Sequence, residues 1–208
     1  NRLADGLIFA RTEPRDARVR YLQQAEFPFV THGRTDFPGH AWYDFDNAAF
    51  AAQAVDMLAD RGATHIGLLP PSEKYTFHRH MMDGFRARVA VRGCAGSVAP
   101  GADLNDHPDV LYARLHDWLS GPDAPDALIC PGEVSAITAH AVISDLGTQG
   151  AHIRMVAKQT SPVFDQFRPR PLTITEDIVN AGRLVTQALL RLIDNAAPET
   201  QQILAAPV

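Results

Sequence analysis

Hydrophobic positions along this chain follow two alternating patterns. Short, nearly continuous apolar runs predict buried strands. Between them, apolar residues such as Val19 and Leu22 are spaced three or four apart, which predicts helices with one buried face. The predicted strands are residues 3–9, 27–33, 41–45, 64–70, 95–99, 126–130, 153–157 and 172–175, with a last strand near residue 208. The predicted helices are residues 14–25, 47–61, 78–91, 108–119, 133–146 and 178–194.

The order of these elements predicts the fold class. Strands that alternate with helices form parallel sheets covered on both faces, so the sequence predicts an α/β protein. The alternation is interrupted by "KQTSPVFDQFRPRP" (residues 158–171), a proline-rich loop without regular periodicity. It resumes at "LTIT" (residues 172–175). Segments from both sides of the middle of the chain are therefore expected to belong to a second lobe.

Composition and charge exclude some classes of function. The 208 residues include 46% hydrophobic ones and suffice for one large α/β domain or two small ones. With 19 basic and 24 acidic residues the net charge is -5, which argues against DNA binding by this stretch alone. Cys94 and Cys130 lie in apolar stretches and are expected to be reduced core thiols. No run of residues has the length and apolarity of a membrane span, and no leader opens the chain, so a cytoplasmic protein without membrane contact is expected.

Motifs for cofactors, metals and nucleophiles are absent from the sequence. No G-x-G-x-x-G or Walker-type loop follows any strand, so no nucleotide cofactor is expected. His78 and His80 have no further His or Cys at metal-ligand spacing, so no metal is expected either. There is no G-x-S-x-G elbow and no S-x-x-K motif. Glu133 and Glu176 could pair for acid/base chemistry, but their separation in sequence does not give their distance in space.

Polar side chains follow several of the predicted strands at their carboxyl ends. In open α/β sheets the ligand crevice lies at this edge, so these residues are the candidates for ligand binding. They are His32, Arg34, Tyr75, Phe77, Arg79, Glu133, Lys158, Gln159 and Glu176.

Six segments of the chain resemble the effector-binding core of the lactose-repressor family of bacterial transcription regulators, which has the periplasmic sugar-binding fold. The strand "ADGLIFA" is similar to the family's V-D-G-[IL]-I strand. The stretch "YDFDNAAFAAQAVDMLADRGATHIGLL" is similar to the family's V-x-x-D-N segment and helix, which are followed by its G-H…I-x-[LI] strand. The other segments are "FPFVTHGR", "MDGFRARV", "PDALICPGEVSAITA" and "PLTITEDIVNAG". Each is a weak signal alone, but their order and spacing are specific and they cover nearly the whole chain.

The resemblance implies two Rossmann-like lobes with parallel sheets, joined by three crossings near residues 44–47, 159–170 and 172–176. The first lobe would contain residues 1–45 and 176–208, the second residues 46–170, with residues 171–175 as a crossing. Asn47 would cap the helix that begins there. The family also implies a small-molecule effector bound in the cleft between the lobes, a homodimer, and DNA binding through a helix-turn-helix segment that would precede residue 1.

Three positions depart from the family pattern. An arginine that the family commonly places before the "GF" pair is Met81 here, with Arg79 two positions earlier. The family's Asn-Asp pair is Gly132-Glu133, and a further aspartate is replaced by Gln159. The family's usual Asp, Asn and Arg contacts to a sugar therefore do not carry over, although Arg79, Glu133 and Gln159 could still bind hydroxyl groups of an effector. Tyr75 and Phe77 lie where the family's pocket-lining residues fall, and either could stack on a sugar face or simply anchor its loop.

Three functions are compatible with these features. The first is the sensor module of a transcription regulator, in which a ligand favours one of two conformations. The second is a solute-binding protein of a sugar transport system with the same fold, which would be a monomer. The third, an α/β enzyme using Glu133 or Glu176, has the least support, and no catalytic residue is assigned.

Overall fold

The computed structural model describes residues 3–208, which divide into two compact units. The first unit contains the chain up to Asp46, together with Glu73–Arg79 and Asp177–Ala206. The second unit contains Asn47–Ser72, His80–Glu176 and Pro207–Val208. Each unit has its own parallel sheet, and strands and helices are numbered below in chain order.

The first unit is a four-stranded sheet in the order β1-β2-β3-β9, with every neighbouring pair parallel. Its core forms where one face of a helix covers the sheet. Ala181, Val185 and Leu192 of α6 pack against Val30 and other buried residues of the strands. The elements are β1 (Leu7–Ala10), α1 (Ala17–Gln24), β2 (Phe29–His32), β3 (Ala41–Phe45), α6 (Ile178–Ile193) and β9 (Gln202–Ala205).

The second unit is a five-stranded parallel sheet in the order β5-β4-β6-β7-β8. Strand β6 is fully buried, as its apolar sequence "ALIC" predicts. The elements are α2 (Asn47–Ala59), β4 (His65–Leu68), α3 (Thr76–Arg92), β5 (Ala95–Val98), α4 (Pro108–Leu119), β6 (Ala127–Cys130), α5 (Glu133–Asp145), β7 (Arg154–Gln159) and β8 (Leu172–Thr175). The first residues of α3, up to Arg79, belong to the first unit. Short 3-10 helices lie at Gly150–His152 and Pro162–Gln166 of the second unit and at Pro198–Thr200 of the first unit.

One glycine sets the contact between two helices of the second unit. A Cβ atom added to Gly84 of α3 would overlap the backbone of Ala48 in α2, including its carbonyl oxygen. The two helices therefore approach each other over a position without a side chain.

The α/β class with parallel sheets is confirmed. Strands β3 and β8 and helix α4 have the bounds predicted from the sequence. Strand β1 is shorter than predicted, because it pairs with β2 only from Leu7 onward and Leu3 is fully exposed. Strand β7 is longer than predicted, because its pairing with β8 continues to Gln159 opposite Thr175.

Two segments belong to a different part of the structure from the one that the predicted lobe boundaries gave them. Residues 73–79 belong to the first unit, where Thr76 N donates to Thr12 O at 3.0 Å. Residues 172–175, expected to be a crossing, form strand β8 of the second unit's sheet. The chain therefore changes unit after Glu176, not before Leu172.

Within residues 3–208, none of the helices combines the length and apolar character that crossing a membrane requires.

Candidate functional site

A buried lysine joins three elements of the second unit. Lys158 Nζ donates to Glu176 Oε2 and to Asn47 Oδ1, each at 3.1 Å. It also lies 5.4 Å from the ring centroid of Phe50. The side chains of Lys158 and Glu176 are only 11% and 8% exposed, so this ion pair is largely removed from water. The carboxyl ends of β7 and β8 are thereby attached to the start of α2.

Gln159 follows Lys158 directly and is the last residue of β7. Its backbone oxygen accepts a hydrogen bond from Glu176 N at 2.9 Å. Its side-chain Oε1 is buried and accepts no hydrogen bond from the residues that the structure describes. A buried acceptor without a donor is costly, so a group that donates a hydrogen bond, such as a hydroxyl, would be stabilised there.

Glu133 fastens the turn that follows β7. Its Oε1 accepts hydrogen bonds from Thr160 N at 2.8 Å and Ser161 N at 2.6 Å, and Ser161 Oγ reaches both carboxylate oxygens. Burial raises the pKa of Glu133, but these donors outweigh it and hold the pKa below its usual value. An ionised carboxylate with four protein contacts positions the turn, which leaves it less available to a ligand than the sequence indicated.

In the first unit, Arg34 pairs with an acid buried in the adjacent strand. Arg34 Nε donates to Asp44 Oδ2 at 2.7 Å, and its guanidinium carbon lies 5.7 Å from the ring of Trp42. Thr12 Oγ1 donates to the backbone oxygen of Arg34 at 2.9 Å. Gly33 precedes it with φ 120, and a Cβ atom there would overlap Thr12 Oγ1. Only glycine fits this conformation and this close approach, so Gly33 determines the position of the backbone from which the Arg34 side chain extends.

The aromatic candidates of the first unit are held in stacked pairs. His32, the last residue of β2, stacks on Tyr43 with 5.3 Å between ring centroids. Tyr75 stacks on Phe77 at 5.5 Å, and Lys74 Nζ lies 4.8 Å from the Tyr75 ring. Tyr75 and Lys74 also line a cavity of about 420 Å³ that includes Ala10, the last residue of β1.

Arg79 forms an ion pair within the first unit. Its Nη2 lies 2.8 Å from Asp36 Oδ1, and the two side chains are 51% and 43% exposed. An exposed pair of this kind contributes little to stability.

Comparisons with known proteins give the family. Residues 55–208 match the family model for a periplasmic binding protein-like domain. The chain belongs to the periplasmic binding protein-like domain family. Two curated relatives are the HTH-type transcriptional regulators AglR of Rhizobium meliloti, 27% identical over 95% of this chain, and RafR of Escherichia coli, 26% identical over 100% of it. The chain spans 57% and 62% of their respective lengths.

Solved structures of transcription regulators share this periplasmic binding protein-like fold. A regulatory protein of the LacI, or lactose-repressor, family from Chloroflexus aggregans superposes with a TM-score of 0.84 at 24% identity, covering 98% of this chain and 74% of that one. A LacI family transcriptional regulator from Bifidobacterium animalis gives 0.86 at 20%, covering 97% and 74%. The transcriptional regulator CelR, solved as a complex with cellobiose, gives 0.84 at 19%, covering 99% and 64%. At these identities the likeness shows the fold alone.

The structure of this periplasmic binding protein-like chain brings some of the predicted residues together. Lys158, Gln159 and Glu176 are neighbours at the carboxyl edge of the second unit's sheet, and Glu133 lies beside the next turn. His32 and Arg34 lie at the carboxyl edge of the first unit's sheet, where β2 ends.

Two residues that the sequence did not mark as ligand-binding candidates belong to these clusters. Asp44 is 4% exposed, and its signal was an acid within the apolar strand "AWYDF". Asn47 was expected only as a cap, but it is the first residue of α2 and its Oδ1 contacts Lys158.

Proposed function

We propose that this chain is the effector-binding part of a DNA-binding transcription regulator. The observation that carries the proposal is the match of 95–100% of the chain to two HTH-type transcriptional regulators, together with the family model. The polar clusters at the carboxyl edges of both sheets support it, because small ligands of open α/β folds bind at this edge.

The effector that these side chains fit is a sugar or a sugar derivative. Sugars present many hydroxyl groups and an apolar ring face. Within the second unit, the unpaired Oε1 of Gln159 is suited to a hydroxyl donor. Within the first unit, the aromatic ring of Tyr75 lines a cavity. CelR, a regulator with the same fold, was solved with the disaccharide cellobiose. The cleft expected from the sequence as the binding place stays a prediction.

DNA binding is assigned to a separate helix-turn-helix segment, and the regulator is expected to be a homodimer. The relatives are HTH-type proteins of which this chain spans 57% and 62%. The net charge of -5 supports this division, because a protein needs clustered Lys and Arg to neutralise DNA phosphates.

A thermal-shift screen against monosaccharides, disaccharides, sugar acids and sugar phosphates tests the proposal. A ligand at a hundred times its Kd stabilises the folded state by about 2.7 kcal/mol, which corresponds to a Tm increase of roughly 5–10 °C for a chain of this size. We expect one chemical class to give a saturable shift. A folded protein that responds to no member of the panel would contradict the sugar assignment.

Two variants then test the site. Gln159→Ala and Arg79→Ala are each expected to weaken binding of the identified ligand about tenfold, while the unliganded Tm stays within a few degrees. Gln149→Ala is the matched control, because it removes the same amide from an exposed position of the second unit. Unchanged affinity in both site variants would show that the site is elsewhere.

A further inference from the structure

The second unit has a basic cavity at the edge of its sheet opposite Lys158 and Gln159. The cavity has a volume of about 420 Å³ and is lined by Arg154 and Leu172, the first residues of β7 and β8. A cavity of this size is within the range of roughly 300–1,000 Å³ that small-molecule sites occupy. It lies at the amino ends of the strands and is therefore separate from the proposed effector site.

Four arginines line this cavity, and no Asp or Glu does. They are Arg61, Arg154, Arg168 and Arg170, and His140 adds a fifth nitrogen-bearing side chain. The concentration is unusual for a chain whose net charge is -5. Like charges around one cavity repel each other, so an anion bound among them would relieve an unfavourable interaction.

The protein compensates this charge only in part. Arg170 pairs with Asp165 at 2.7 Å, and both side chains are about half exposed. Among the described residues, the guanidinium groups of Arg61, Arg154 and Arg168 have no carboxylate partner. Three cations without counter-charges thus border the same cavity.

Two of these arginines are oriented by the backbone. Arg168 Nη1 donates to the carbonyl oxygens of Asp165 at 3.0 Å and Phe167 at 2.7 Å. Arg61 Nη1 donates to Met57 O at 2.9 Å. In each guanidinium, the N–H groups other than those on Nη1 can donate to a ligand. Because the carbonyl groups already restrict the two side chains, less side-chain entropy is lost when a ligand binds.

Apart from Ser144, the remaining wall is apolar or aromatic. His140 packs edge-on against Phe167, with 4.9 Å between ring centroids. Ile143, Ile153 and Met155 also line the cavity. A fully hydrated cluster of surface arginines needs no such concave apolar wall, whereas a bound molecule with a short carbon skeleton would contact it.

We propose that this cavity binds a small organic or inorganic anion with at least two negative charges, held by Arg154, Arg168 and Arg61. Phosphate and carboxylate groups share the required chemistry, because the planar guanidinium donates two parallel hydrogen bonds to either. The site does not depend on the effector proposed above.

Isothermal titration calorimetry with pyrophosphate and with citrate, at low and at physiological salt, tests the proposal. We expect saturable binding of at least one anion, with affinity that falls as salt increases. Arg154→Ala and Arg168→Ala should each weaken this binding about tenfold or more. Preference for pyrophosphate would indicate a phosphorylated ligand, and preference for citrate a polycarboxylate.

Arg86→Ala is the matched control, because Arg86 is an exposed residue of α3 in the same unit and does not line the cavity. It removes the same charge and should leave the affinity within about twofold of the unaltered protein, since the two sites do not touch. Binding of neither anion would overturn the proposal. Equal losses in Arg86→Ala and Arg154→Ala would overturn it as well, because they would indicate attraction by net charge alone.

Discussion

Replacement of Lys158 by methionine should destabilise the second unit by several kcal/mol. The substitution keeps most of the side-chain volume but removes the ammonium group. Glu176 is then left with a buried carboxylate from which its cation, 3.1 Å away, has been removed, and Asn47 Oδ1 loses a donor. Both members of the pair are about nine-tenths buried, so solvent screens them little.

The expected magnitude follows from this burial. Removing one partner of a buried ion pair costs about 3–5 kcal/mol, and Glu176 retains other contacts, so we expect a loss of roughly 3 kcal/mol. The double variant Lys158→Met with Glu176→Gln should recover about half of this loss, because no uncompensated charge remains.

Tryptophan fluorescence during urea unfolding can assign the effect to one unit. The chain has two tryptophans, Trp42 in the first unit and Trp118 in the second. In a Trp42→Phe background the signal comes only from Trp118, which packs against the core of the second unit.

Arg114→Ala is the control for this experiment. It breaks an exposed pair with Asp106 and should cost less than about 1 kcal/mol. If Lys158→Met costs no more than Arg114→Ala, or if the double variant is as unstable as Lys158→Met, the buried pair does not hold these elements together.

Two further predictions concern local contacts. Glu133→Gln should destabilise by about 1 kcal/mol at pH 7 through its contacts with Thr160 and Ser161. Because the folded pKa of Glu133 lies below its usual 4.5, this contribution is complete above pH 4.5 and is lost as pH falls through the folded pKa, so calorimetry at decreasing pH should show the Tm difference shrinking only below pH 4.5. Gly84→Ala should cost about 1–3 kcal/mol by forcing α3 away from Ala48. Gly182→Ala in α6, where a Cβ meets nothing within 4 Å, should stabilise by up to about 1 kcal/mol; equal effects of the two in chemical denaturation would contradict this account.

The alternation of apolar runs and helical spacing was sufficient to predict the fold class. In the second unit, strand β6 is short and wholly apolar, and α4 is bounded by the polar residues His107 and Ser120, so local pattern and tertiary structure agree there. The segment Glu73–Arg79 was misplaced because its assignment depends on contacts with Thr12 and Asp36, which are far away in sequence. No local pattern reports such contacts.

The sequence predicted at which edge of a sheet the candidate side chains lie, but not which side chains contact each other. That Lys158 and Gln159 lie at the carboxyl end of a strand was predicted, although the strand was expected to end at residue 157 and continues to Gln159. That Lys158 meets Glu176 requires β8 to pair directly with β7, which places Gln159 opposite Thr175. Glu133 was expected to meet a ligand, but a turn 27 residues later supplies its donors, and spacing along the chain does not encode that distance.

The Lys158 contacts also bear on how the second unit could be moved between proteins. Asn47 is the residue at which the chain enters this unit, and Glu176 is the residue at which its long segment ends. One ammonium group holds both, so the two ends of this stretch lie side by side. Domains with adjacent ends can be inserted into a loop of a host protein with little strain, because the host backbone needs to open only slightly. Residues 47–176 are therefore suited to grafting as one continuous segment, in which residues 73–79 would give up their first-unit contacts with Thr12 and Asp36 and Lys158 would keep the two ends together.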